Sequence, residues 1–174
     1  IHCQSILRAK KMSKQLQLPT IGMGMWAYGG GLSPDHTKDD VEVAALQNAF
    51  EIGYRHFDTA EMYASGHSEE LLGLALKDYE RDDFIITSKV NKENLAYDDL
   101  LAACDRSLKY LQTSYIDLYL IHWPNLAIPL EESFRALNQL VDSGKIRRIG
   151  VSNFDLPLLE HAAALSETPL FGNQ

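Results

Sequence analysis

Short apolar segments alternate with longer amphipathic segments along the chain from residue 18 to residue 174. The short segments are typical of strands, and the longer ones repeat apolar residues at helical spacing. One strand–loop–helix unit recurs about every 30 residues, which is the length of a βα module in a parallel sheet. The pattern predicts N-caps at Ser68, Asp98 and Asp155. It predicts strands at residues 21–26, 54–59, 84–90, 115–123, 146–152 and 170–174, and helices at 38–52, 68–79, 98–111, 129–143 and 156–166.

Regular βα alternation leaves two architectures open, a doubly wound sheet or a parallel barrel. The doubly wound fold requires a G-x-G-x-x-G turn after a strand. Gly22 and Gly24 supply only the first half of that pattern, and the glycines at 29–31 are followed by more loop. Polar residues instead cluster at the carboxyl ends of successive strands, where β/α barrels keep their chemistry. The prediction is an α/β fold, a partial (β/α)8 TIM barrel of about six strands and five helices that does not close.

Composition and charge narrow the class of protein. Apolar residues make up 45% of the chain and charged residues 23%, as in ordinary globular domains. A formal net charge of -8 argues against nucleic-acid binding, and no apolar run reaches the ~20 residues that span a membrane. Two cysteines, Cys3 and Cys104, define no disulfide framework. A cytoplasmic location is the resulting expectation.

The N-terminal segment of the chain lies outside the repeating pattern. The chain begins at Ile1, while Met12 opens the segment that leads into the first strand. We expect residues 1–17 to be a leader or a cloning remnant without defined structure. Residues 18–174 then form the N-terminal part of the barrel.

Four polar residues stand at or just beyond the ends of three consecutive strands: Asp58, Tyr63, Lys89 and His122. Each has an ordinary structural explanation, such as a strand-ending carboxylate or a core histidine. Neighbouring strand ends converge on one rim of a barrel, however, so these groups are expected to meet. An ammonium beside a phenol stabilises the phenolate that remains after proton transfer, which makes the phenol a usable general acid.

The chain resembles the aldo-keto reductases from about residue 18 to its end. Residues 58–63, Asp-Thr-Ala-Glu-Met-Tyr, are similar to the D-T-A-x-x-Y signature of that family. The Ile-His-Trp-Pro run at 121–124 resembles its strand-four histidine motif. Gly-Val-Ser-Asn-Phe at 150–154 and Asn-Gln at 173–174 resemble two further motifs. Several motifs match in order and at sensible spacing, so the resemblance is specific.

The resemblance implies roles for the four strand-end residues. Tyr63 would be the proton donor, and Lys89 would assist the loss of that proton. Asp58 would pair with Lys89, and His122 would orient the carbonyl of the substrate. The implied activity is that of an oxidoreductase, the reduction of aldehydes or ketones to alcohols by direct hydride transfer.

The resemblance also implies a cofactor site and a substrate pocket. Ser152, Asn153 and Gln174 would bind the nicotinamide of NADPH, with NADH also possible. Ser152 and Asn153 are equally ordinary turn residues. Trp26 and Trp123 would help to form the pocket for a small-molecule carbonyl substrate. No metal is expected, because the sequence lacks the H-x-H and H-E-x-x-H ligand patterns.

The resemblance predicts two more βα units than the chain contains. A complete barrel needs at least ~200 residues, and the missing units would grip the adenosine phosphate of the cofactor. The 174-residue chain is therefore expected to be an inactive fragment that self-associates through open sheet edges. A gene fragment, part of a longer chain and a short protein completed by dimerisation remain alternatives. So does a non-catalytic nicotinamide-binding or scaffold module of the same fold.

Overall fold

The computed structural model describes residues 16–174, so most of the predicted leader, residues 1–15, lies outside the described residues. Five strands and five α-helices alternate in this part of the chain. The strands are β1 (Met23–Gly24), β2 (His56–Asp58), β3 (Ile85–Val90), β4 (Ile116–Ile121) and β5 (Ile146–Val151). The helices are α1 (Asp39–Glu51), α2 (His67–Leu76), α3 (Tyr97–Tyr110), α4 (Leu130–Asp142) and α5 (Leu156–Leu165).

The five strands form one parallel sheet in the order β1-β2-β3-β4-β5. Each strand pairs with its neighbour in sequence, as expected when every crossover is a single helix. Asp58 is aligned with Thr87, and Lys89 is aligned with Leu120. Within the described residues the sheet does not close on itself, so the predicted partial barrel is confirmed.

The sixth predicted strand, at residues 170–174, is not formed as a regular strand. This segment lies along β5 and has a single parallel bridge, between Val151 and Asn173. Its backbone bonds to β5 include Phe171 N to Ile149 O at 2.8 Å and Gln174 N to Val151 O at 3.0 Å. The described chain therefore has five strands rather than six, because bridging beside β5 is limited to one residue pair.

Helix packing follows the amphipathic pattern of the sequence. In α4 the buried residues Phe134, Leu137 and Leu140 recur every three positions and so form one apolar face. All six residues of β4 are buried, as in a strand covered on both faces. The apolar core thus lies between the sheet and its helices and holds the strand ends in a fixed position.

Two of the three predicted N-caps are wrong. Asp155 does cap α5, because its side chain accepts a bond from Leu158 N at 3.0 Å. Helix α2 instead begins after Gly66, and the Ser68 hydroxyl donates to Met25 O at 3.2 Å. Helix α3 begins one residue before Asp98, with Ala96 at the cap. At α2, a tertiary contact therefore overrides the local capping preference of Ser68.

Cys104 is fully buried in α3, and this burial raises the pKa of its thiol to about 12. Among residues 16–174, no helix combines the length and apolar character needed to cross a membrane.

Candidate active site

The four predicted catalytic residues meet at the carboxyl edge of the sheet. Asp58 is the last residue of β2, Lys89 the second-last of β3, and His122 directly follows β4. Tyr63 follows β2 by five positions and begins the turn Tyr63–Gly66, in which Ala64 and Ser65 have non-helical backbone angles. Because parallel strands end at the same edge of a sheet, residues at the ends of neighbouring strands lie close together.

Lys89 is the centre of the site. Its side chain is 1% exposed, and its ammonium donates to the Asp58 carboxylate, to Thr59 O at 2.8 Å and to the Tyr63 hydroxyl at 3.2 Å. An ammonium has three donors, and here each has an acceptor. Burying such a charge is tolerated only when it is paired and hydrogen-bonded.

Tyr63 lies between two other aromatic rings. Its ring centroid is 5.0 Å from that of Trp26 and 5.6 Å from that of His122, with interplanar angles of 77° and 75°. The Lys89 ammonium is also 4.8 Å from the Tyr63 ring centroid. Edge-to-face contacts of this kind fix the orientation of the phenol. The Tyr63 hydroxyl is thus held beside a cation.

His122 is held as a neutral imidazole. Burial, together with the nearby charge of Lys89, lowers the pKa of His122 to about 4. Within the described part of the chain, its buried Nδ1 has no hydrogen-bond partner. A neutral imidazole has one N–H group, so it can donate one hydrogen bond to a substrate oxygen without placing a positive charge beside it.

The predicted cofactor residues form a second network next to these four. Asn153 donates through Nδ2 to the His122 carbonyl at 2.9 Å and to the Ser152 hydroxyl at 3.0 Å. Ser152 in turn donates to Gln174 O at 3.0 Å. Gln174 Nε2 donates to Asp58 Oδ2 at 2.8 Å. The structure therefore brings all three residues to the same edge of the sheet as Asp58 and His122, while their role in cofactor binding stays a prediction.

The two predicted pocket residues differ in their contacts. Trp26 is 49% exposed and lies against Tyr63. Trp123 directly follows His122 and is 48% exposed. Both indoles are therefore available to a ligand at this edge of the sheet.

Sequence reasoning missed two groups behind the site. The Thr59 carbonyl is the third acceptor of Lys89, and a backbone atom leaves no signal in a motif. Glu69 is an acidic residue in the first turn of α2, where such residues are typically exposed. It is nevertheless fully buried and accepts a hydrogen bond from Ser88 Oγ at 2.5 Å. Burial raises the pKa of Glu69 to about 7.

The fold and the strand-end site define a β/α protein of the barrel type. The family model for the aldo/keto reductase family matches residues 20–174, and the chain belongs to that family. Methylglyoxal reductase YeaE of Escherichia coli is 41% identical over 145 residues, which cover 83% of this chain and 49% of that protein. The chain thus spans about half the length of this relative.

Solved structures agree with this assignment. A thermostable aldo-keto reductase crystallised with the inhibitor epalrestat is 48% identical, with a TM-score of 0.90 over 93% of this chain and 59% of that chain. An aldo/keto reductase from Klebsiella pneumoniae, crystallised with NADP and acetate, is 40% identical. Its TM-score is 0.77, and the match covers 86% of this chain and 50% of that chain. The family resemblance of the sequence motifs is therefore confirmed.

Proposed function

We propose that this protein reduces small aldehydes or ketones to alcohols, with a nicotinamide cofactor and with Tyr63 as proton donor. One observation carries the proposal: the Tyr63 hydroxyl lies 3.2 Å from the buried ammonium of Lys89, which is itself bonded to Asp58. A carbonyl reduced by hydride becomes an alkoxide and needs a proton. A phenol beside a held cation is suited to give one.

The other side chains have supporting roles in proton transfer. Lys89 stabilises the phenolate that Tyr63 leaves behind, and Asp58 keeps the ammonium in place. His122, as a neutral imidazole, donates a hydrogen bond that orients the carbonyl oxygen toward Tyr63. These groups are fixed before the substrate arrives, and preorganised donors of this kind contribute strongly to rate.

The residues at the end of β5 fit the polar head of a nicotinamide. Ser152, Asn153 and Gln174 carry a hydroxyl and two amides beside Asp58, which are the group types that pair with a carboxamide. Their donors are bonded within the protein in this structure, so binding would exchange some of these bonds for bonds to the cofactor. When bound, the cofactor supplies the hydride. NADPH is proposed ahead of NADH because a related structure from Klebsiella pneumoniae holds NADP.

The proposed substrates are small carbonyl compounds. Relatives from Escherichia coli and Bacillus subtilis are named methylglyoxal reductase and glyoxal reductase. The half-exposed indoles of Trp26 and Trp123 would form the walls of the substrate pocket.

We expect the 174-residue chain and the full-length protein to differ in activity. In the described chain, the residues proposed to bind the cofactor would all contact its nicotinamide, and none would contact its phosphates. Each charge-assisted phosphate bond that is missing removes about 1.5–3 kcal/mol of binding free energy. We propose that the 174-residue chain alone does not turn over carbonyl substrates at a useful rate.

The Tyr63→Phe variant of the full-length protein tests the proposed reaction. Only the hydroxyl is lost while the ring contacts with Trp26 and His122 remain, so turnover should fall by about 10²–10⁴-fold. NADPH affinity, measured by fluorescence titration, should stay close to the wild-type value. The matched control is Tyr79→Phe, which removes a surface hydroxyl bonded to Glu51.

Retention of most of the turnover in Tyr63→Phe would assign the acid role to another residue. If the wild-type protein binds NADPH but reduces no carbonyl compound, the result would support the non-catalytic alternative.

A further inference from the structure

A cluster of possible metal ligands lies outside the four catalytic residues. His36 Nδ1 is 3.1 Å from Asp39 Oδ2, and His67 Nε2 is 2.8 Å from Asp39 Oδ1. The two imidazole rings are 4.1 Å apart between centroids. One ligand atom from each residue lies within 4.8 Å of the other two. These residues, the His36–Asp39–His67 cluster, present two nitrogens and a carboxylate toward one point.

Glu70 gives the cluster the second feature of a zinc site. Its Oε2 accepts a hydrogen bond from His67 Nδ1 at 3.0 Å. Histidines that bind metals commonly donate their remaining N–H to a carboxylate, which fixes the tautomer and the ring orientation. In this structure Nε2 donates to Asp39 Oδ1 at 2.8 Å. A bound ion would replace the Nε2 proton, while Nδ1 keeps its proton and its bond to Glu70.

We propose that His36, Asp39 and His67 bind a Zn²⁺ ion, with Glu70 as the residue that orients His67. Zinc prefers four ligands at about 2.0–2.2 Å, drawn from imidazole and carboxylate groups. Ligand atoms in such a tetrahedron are about 3.3 Å apart. The contacts of 2.8 and 3.1 Å go to the two different oxygens of Asp39, and one ligand atom from each residue lies within 4.8 Å of the others. Binding therefore requires a shift of the exposed His36 ring toward the other two ligands. Three protein ligands leave the fourth position to a water molecule.

The exposure of the three residues allows the ion to enter. The side chain of His36 is 66% exposed and that of Asp39 is 31% exposed, while His67 is 5% exposed. The buried imidazole gives the site a fixed base, and the exposed one can rotate to close it. Imidazole and carboxylate ligands with an open position suit zinc better than magnesium or calcium, which prefer oxygen alone.

A bound ion would connect two segments next to the catalytic edge. His36 and Asp39 precede and begin α1, on the chain segment that follows β1 and Trp26. His67 begins α2 and follows the Tyr63–Gly66 turn directly. Zinc would therefore tie the segment after β1 to the turn that carries Tyr63. The proposed reaction itself needs no metal, so zinc binding here is independent of it.

Metal binding to the full-length protein tests the inference. Co²⁺ is used as a spectroscopic probe of tetrahedral nitrogen and oxygen ligands, and Zn²⁺ affinity is measured by calorimetry and by displacement of Co²⁺. We expect a one-to-one complex whose visible absorption disappears when Zn²⁺ is added. His36→Gln, at an exposed position that tolerates the change, should weaken Zn²⁺ binding at least tenfold. Glu70→Gln should weaken it by about 10–100-fold, since it removes only the orienting carboxylate.

Two control variants make the result specific. His161→Gln changes a surface histidine paired with Glu131 and should leave Zn²⁺ affinity unchanged. A variant with His2 and Cys3 both replaced by alanine tests the N-terminal segment, and it should also bind as the wild type does. Wild-type affinity in His36→Gln, or loss of binding in the His2 and Cys3 variant, would overturn the assignment.

Discussion

At the scale of single residues, the site depends on buried charges that are fully paired. Lys89 is buried among three acceptors, and Asp58 is held from its other side by Gln174. Removing one partner of such a pair leaves the other charge uncompensated, which costs more than the pair contributes. The same contacts that hold the ammonium in place therefore hold it against the Tyr63 hydroxyl.

Replacement of Lys89 by methionine should affect turnover far more than cofactor affinity. Met removes the ammonium and keeps an unbranched side chain of similar length, so the phenolate of Tyr63 loses its stabilising cation. The residual rate should show a pH dependence different from that of the wild type. Steady-state rates across pH and NADPH titration check this, with Lys145→Met as an exposed control. An unchanged pH–rate profile would exclude Lys89 from the proton transfer.

Glu69 introduces a pH-dependent contribution to folding. Burial raises its pKa from 4.5 to about 7 in the folded protein. The neutral acid is therefore favoured by folding: the contribution is fully present below pH 4.5 and is lost as the pH rises through about 7. The carboxyl group lies behind the sheet, bonded to Ser88, which precedes Lys89.

Glu69→Gln should remove this pH dependence, because the amide stays neutral and its oxygen can still accept the bond from Ser88. We expect the free energy of unfolding of the wild type to fall between pH 5 and 8 by about 2–3 kcal/mol more than that of the variant. Urea denaturation at several pH values measures the difference. Glu93→Gln, at a 59% exposed position, is the matched control. Parallel stability curves for Glu69→Gln and the wild type would contradict the burial argument.

At the scale of secondary structure elements, one unusual turn positions the proposed proton donor. Ala64 and Ser65 have φ values of 48° and 55°, and Gly66 has a φ of 95°. Three consecutive residues of positive φ reverse the chain between Tyr63 and α2. A β-carbon at Gly66 would lie 2.6 Å from the Tyr110 ring on α3, so α3 packs directly against the turn.

Gly66→Ala should destabilise the protein more than a Gly→Ala substitution whose only cost is the left-handed backbone conformation. The left-handed conformation costs a non-glycine residue about 1–2 kcal/mol, and the clash with Tyr110 adds to this. Gly144→Ala is the control, since Gly144 has a φ of 78° and nothing within 4 Å of its would-be β-carbon. Thermal denaturation of both variants gives the comparison, and turnover should fall further for Gly66→Ala. Equal destabilisation would show that the α3 contact does not constrain the turn.

At the scale of the whole molecule, the sheet of the described chain has two lateral edges, one at β1 and one beside β5. Strand β1 is two residues long and pairs with β2, while β5 is accompanied by residues 171–174. A parallel barrel normally joins its first and last strands and so removes both edges. Unpaired edges present backbone donors and acceptors that another chain can use.

The 174-residue chain, expressed alone, should self-associate and should not bind NADPH tightly. Folding free energies of complete domains are only about 5–15 kcal/mol, and interior layers without partners can consume that margin. Size-exclusion chromatography over a range of concentrations and NADPH fluorescence titration measure both properties. A sharp monomer peak together with micromolar cofactor binding would show that this idea is wrong.

Most of the fold was predictable because its determinants are local. The predicted helices and the first five predicted strands recur in the structure with boundaries shifted by a few residues, since hydrophobic periodicity depends on adjacent positions. The N-cap at Ser68 failed because packing between α2, β1 and β2 fixes where α2 begins, whereas α3 begins one residue before Asp98. Ser68, for example, is hydrogen-bonded to Met25 and to Thr59.

The sequence by itself determined the parallel βα order and the placement of Asp58, Lys89 and His122 at strand ends, since strand period and helix length set both. Only the tertiary structure decided which distant groups touch. The pairing of Lys89 with the Thr59 carbonyl, the burial of Glu69 against Ser88, and the approach of His67 to Asp39 each join residues 19 to 30 positions apart. Such contacts depend on sheet register and helix packing, which no local pattern specifies.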